Sequence, residues 1–107
     1  MIESFGQTRP HDDAMIAMLH QTPDFAAEYL RVAFEELDEE GGEAAFLIAL
    51  RHVVEARGGM ALIAEKAHLS RESLYRTLSA NGNPTLKTLS AVIHATGLRF
   101  ADIANAA

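Results

Sequence analysis

The 107-residue chain contains no cysteine and only three prolines. Without cysteine, disulfides, thiolate metal sites and a cysteine nucleophile are excluded, while the redox compartment stays open. No stretch approaches the roughly 18 consecutive apolar residues of a membrane-spanning helix. Residues 1–7 (Met-Ile-Glu-Ser-Phe-Gly-Gln) lack the basic-then-apolar order of a secretory leader, so a cytoplasmic protein with no membrane association is expected. No segment alternates apolar and polar residues in the period-two manner of a half-buried strand. The five histidines (His11, His20, His52, His68, His94) never adopt metal-ligand spacing, and neither a glycine-rich phosphate loop nor a nucleophile elbow occurs. An enzyme is therefore the weakest class, and no cofactor or metal is expected.

What is present suits one modest core. The chain is 49% hydrophobic and 22% charged, a globular composition, and at this length two large domains are excluded. The net charge of −6 is unevenly placed. Residues 1–50 carry two basic groups against eleven acids, a balance of −9, and residues 51–107 carry seven against four, a balance of +3. Such asymmetry suits a half that faces a polyanion and a half that faces something basic or simply stays soluble.

Helical spacing runs almost throughout from Asp12. Asp12 or Asp13 can cap a first helix through His20. Thr22-Pro23-Asp24 reads as a cap, a proline at the first helical position and an acid favoured by the dipole. The helix that follows sets Phe25, Ala26, Tyr29, Leu30, Ala33, Phe34 and Leu37 on one face. It runs into Asp38-Glu39-Glu40-Gly41-Gly42-Glu43, where the glycines supply a stop and a linker. Acids at a helix C-terminus oppose the macrodipole, so they serve either a partner or a solvated turn. Residues 44–50 are apolar without a break, which places the third helix between the N-terminal helices and the remainder. His52 on that helix reads as a packed or hydrogen-bonded side chain before a pH switch.

After Gly58-Gly59, a short helix (residues 60–67) turns a corner at His68-Leu69 into a second short helix capped by Ser70. Small Ala64 at the crossing, with Leu69, Leu74 and Leu78 facing inward, gives helix-turn-helix spacing. The outer face of the second helix, Ser70 to Thr77, is polar. Arg71 and Arg76 can pair with guanine, and Glu72 can accept from cytosine or pair with Arg76 one turn on. Tyr75 either reaches DNA or packs on the protein. Asn83 and Pro84 read as cap and first residue of the next helix, which carries Leu86, Leu89, Val92, Ile93 and Thr96 inward. Asn83, Thr85 and Lys87 stand near its start, suited to phosphate. Leu98, Phe100 and Ile103 close the core or offer a two-fold contact, and residues 105–107 are expected to fray.

The run Ala56-Arg57-Gly58-Gly59-Met60, then Leu69 through Ser79 (Leu-Ser-Arg-Glu-Ser-Leu-Tyr-Arg-Thr-Leu-Ser), then Gly82-Asn83-Pro84-Thr85-Leu86, resembles the addiction-module antidote family, HigA-like antitoxins with an XRE (lambda-repressor-like) domain. Asp24 through Leu30 is similar as well, and the resemblance spans roughly residues 24–99. It implies an all-α, compact helical bundle: a lambda-repressor-like helix-turn-helix domain (residues 43–107) preceded by two N-terminal helices in an acidic arm (residues 1–42) packed on it. It further implies neutralisation of a small basic RelE/ParE-type toxin, and repression of the shared operon by a homodimer on a palindromic operator in double-stranded DNA. By the family's pattern Ser70, Arg71, Glu72, Ser73 and Arg76 face bases, with Tyr75 beside them, and Asn83, Thr85 and Lys87 face phosphate. The toxin surface is expected at Tyr29, Glu35, Glu36, Asp38, Glu39 and Glu40. Two residues depart from the pattern: His68 stands where many such domains have glycine, and Met60 where many have a phosphate-touching glutamine. The alternatives are a stand-alone XRE-type regulator without a toxin and an interaction module that has lost DNA binding.

Overall fold

A computed structural model describes residues 10–104, the side chain of Pro10 excepted. Among the described residues there are seven helices and no strand: α1 (Pro10–Gln21), α2 (Phe25–Glu35), α3 (Gly42–Ala56), α4 (Met60–Lys66), α5 (Arg71–Thr77), α6 (Leu86–Ala95) and α7 (Phe100–Ala104). The N-terminal leader reading and the fraying of residues 105–107 lie outside the described residues.

α3 is the axis of the body because its apolar residues point to several sides: Phe46, Leu47, Ala49, Leu50, Val53, Val54 and Ala56 are all buried. α1 and α2 both pack on it, α4 follows from its end, and α2 also packs against α7, so the first and last parts of the chain share one core. Phe34 of α2 meets Phe46 of α3 and Phe100 of α7 edge to face, with centroids 5.9 and 6.1 Å apart. Arg57, at the C-cap of α3, donates to the carbonyls of Pro23 and Thr96, both at 3.0 Å, tying the α1–α2 turn to the end of α6. Ile103 is fully buried and Leu98 and Phe100 pack against the core, so the C-terminal segment closes the body.

Several local expectations are corrected. The described part of α1 already starts at Pro10, and Asp12 does not cap it; the Asp12 carboxylate is 2.8 Å from His52 Nε2 on α3. Thr22 gives no side-chain cap to α2. The chain leaves α1 through a tight turn whose carbonyls, Thr22 and Pro23, already accept from the first N–H groups of α2 at 3.0 and 3.1 Å. The glycine pair is not a slack linker. Residues 36–42 are a series of hydrogen-bonded turns, and Gly42 begins α3 with its Cα pressed on the Glu36 carbonyl, where an added Cβ would lie 2.0 Å from that oxygen. α6 is capped by Thr85, whose hydroxyl accepts from Thr88 N–H at 3.1 Å, so Asn83 and Pro84 precede the helix. In that register Leu86 does not point inward: it is 72% exposed, while Leu89, Val92, Ile93 and Thr96 carry the core face.

Candidate functional site

The α4–α5 corner is built on Ile63, Ala64, Leu74 and Leu78, all essentially inaccessible. α4 ends with His68 N–H donating to Glu65 O at 3.2 Å and Leu69 N–H to Ala64 O at 2.9 Å, a Schellman arrangement that turns the chain sharply. His68 occupies the left-handed position of that motif with φ 61°, so a non-glycine residue bears the strain usually left to glycine. Gly59 at the other end of α4 has φ 95° and ψ 167°, a region essentially confined to glycine. Met60 is 3% exposed and its thioether is spent in the core rather than on the surface.

α5 starts at Ser70, whose hydroxyl accepts from Ser73 N–H at 3.0 Å and donates to Ser73 Oγ at 2.9 Å. Ser70 thus uses its donor within the helix, and Ser73 Oγ also receives an Arg76 N–H at 3.4 Å. Arg71, Glu72, Tyr75 and Arg76 are exposed along the outer face, as are Asn83, Thr85 and Lys87 beyond the following loop. Glu72 and Arg76, although one turn apart, form no ion pair, in contrast to Arg31–Glu28 and Arg99–Asp102. Arg71 and Glu72 therefore stand with their charged ends unengaged. Tyr75, 37% exposed, carries the Arg51 guanidinium over its ring at 5.2 Å from the centroid. Sequence reasoning missed Arg51, because its partner lies 24 positions away on another helix.

The residues expected at a toxin surface lie in two places. Glu35, Glu36, Asp38, Glu39 and Glu40 are all exposed around the α2–α3 turn. Tyr29 is not among them: its hydroxyl is 2.7 Å from His52 Nδ1, and it sits about 9 Å upstream along α2. With the Nε2–H tautomer, Tyr29 O–H donates to Nδ1 and Nε2–H donates to Asp12, so a buried histidine bridges α1, α2 and α3 with both nitrogens satisfied. Burial first, and the Asp12 charge second, raise the Tyr29 phenol above its ordinary value. The acidic turn faces the loop after α5 across an open cleft of about 510 Å³ lined by Asp38, Glu39, Glu43, Ala80 and Gly82. No group of three or more histidine, aspartate or glutamate side chains suited to a metal occurs among the described residues, and no described helix is long and apolar enough to cross a membrane.

A family profile described as "probable addiction module antidote protein" matches residues 12–104, nearly the whole described body. The chain belongs to this family. A Haemophilus influenzae protein described as "uncharacterized protein" is 38% identical over 73 residues, covering 68% of this chain and 74% of that protein. No solved structure matches. Membership of an antidote family implies a toxin partner in general, and the matched region takes in both the α4–α5 corner and the acidic turn.

Proposed function

We propose that this family member is the antidote of a type II toxin–antitoxin module, binding a small basic toxin of the RelE/ParE type and repressing its own operon. α4 and α5 act as a lambda-repressor-like helix-turn-helix, with α5 entering the major groove of a palindromic operator and a homodimer placing two copies about 10 base pairs apart. The observation that carries the reading is the outer face of α5: Arg71, Glu72 and Arg76 exposed, unpaired with one another, on a helix fixed from below by Leu74 and Leu78. Arg71 and Arg76 supply guanine contacts, Glu72 a cytosine contact, and Asn83, Thr85 and Lys87 hold backbone phosphates. The exposed acids Glu35, Glu36, Asp38, Glu39 and Glu40 meet the basic toxin. The protein works by binding, in the cytoplasm, without catalysis or a cofactor.

Selection of duplexes from a random pool tests the DNA part. An enriched palindrome is expected, with Arg71→Ala and Arg76→Ala each costing about 1–3 kcal/mol and relaxing specificity at single positions. A pool that yields no enriched sequence removes DNA reading and leaves an interaction module.

A further inference from the structure

Arg51 lies on α3, outside the corner that reads as the nucleic-acid module, yet its guanidinium rests on the outer residue Tyr75 of α5. It is half-buried and forms no ion pair with any described carboxylate, including Glu55 one turn further along its own helix and Glu72 one turn back from Tyr75. No side-chain hydrogen bond occupies its N–H groups either, in contrast to Arg57, which spends two on carbonyls. A guanidinium held over an aromatic ring, here 5.2 Å from its centroid, keeps its N–H donors free for an acceptor beside the ring. A half-buried cation of this kind lacks an anionic acceptor. Tyr75 lies on α5 between the exposed Arg71 and Arg76, so the acceptor that fits is a phosphodiester oxygen of the duplex read by α5.

We propose that Arg51, held on the Tyr75 ring, is a phosphate-binding residue of the DNA interface, contributed by α3 and not by the helix-turn-helix itself. The inference rests on the DNA-reading function proposed above. It makes α3 part of the docking surface and makes Tyr75 the platform for that contact in place of a base reader.

The test is the salt dependence of binding of the full chain to the tightest duplex recovered by selection. Each phosphate contact contributes about 0.9 to the slope of log affinity against log salt, which at 0.1 M salt corresponds to about eightfold in affinity. Arg51→Gln, which keeps much of the stem packing, is expected to lower the slope by about 0.9 per bound copy and to weaken matched and mismatched duplexes alike. Arg51→Lys restores most of the slope, and Tyr75→Leu weakens binding by releasing the platform. Loss of affinity at unchanged slope would assign Arg51 a purely structural role and overturn the proposal, as would unchanged affinity. If wild-type protein enriches no duplex, the DNA reading itself fails, an outcome separable from failure of Arg51 alone.

Discussion

Replacing His52 by leucine tests whether α1 is an integral part of the body. His52 is 5% exposed, and its removal takes one hydrogen bond from the Tyr29 hydroxyl and one from the Asp12 carboxylate. Leucine nearly conserves volume, which keeps the cavity contribution small and isolates the polar one. The neutral bond from Tyr29 is worth about 1 kcal/mol and the bond to the Asp12 carboxylate about 1.5–3 kcal/mol, taken at the lower end because Asp12 is 29% exposed at its side chain. The sum is about 2.5 kcal/mol, a large share of the 5–15 kcal/mol typical of a domain, and it corresponds to a fall in melting temperature of about 10–20 °C. Thermal unfolding followed by circular dichroism measures it. A double-mutant cycle with Asp12→Ala should then return a coupling of about 1.5 kcal/mol, since the two side chains are in direct contact. A His52→Leu variant melting within about 3 °C of wild type, with near-zero coupling, would refute the bridge.

Three further outcomes are expected. His68→Gly relieves the left-handed strain at the α4–α5 turn and raises stability by about 0.5–1 kcal/mol, read as an increase of about 3–6 °C in melting temperature. Because the folded state holds the Tyr29 proton more tightly than its ordinary value of 10.0, the associated stability is complete below pH 10 and is lost as pH rises through the elevated folded value; alkaline melts should show this decline, and Tyr29→Phe should abolish it. Replacing Glu35, Glu36, Asp38, Glu39 and Glu40 with their amides should slow association with a basic partner and reduce its salt dependence while leaving duplex binding intact, as measured by surface-immobilised kinetics.

The sequence made the helical skeleton legible wherever apolar spacing was reinforced by a cap or a stop. α2, α3, α4 and α5 lie close to where Phe25–Leu37, the unbroken apolar run after Glu43, Met60–Ala67 and Ser70 placed them. Boundaries failed where two caps competed. Asn83 and Thr85 stand two residues apart, and the bond from Thr88 N–H to the Thr85 hydroxyl makes Thr85 the cap, with Leu86 left on the surface. Contacts across the fold had no local signature: Asp12 finds His52 40 positions away, and Arg51 finds Tyr75 on a different helix. The exposed face of α5 was readable because Leu74 and Leu78 fix its rotation, whereas Tyr29, an aromatic on an apolar face, is drawn inward by a polar partner that periodicity does not reveal.

The central claim is that this chain neutralises a toxin. The most direct measurement takes any small basic protein whose gene adjoins this one and follows the growth of cells expressing it, with and without this chain, together with the mass of the complex recovered. The account predicts arrest by the neighbour alone, relief on co-expression, and recovery of the two proteins in a fixed ratio. Persistent arrest with no complex formed would contradict it.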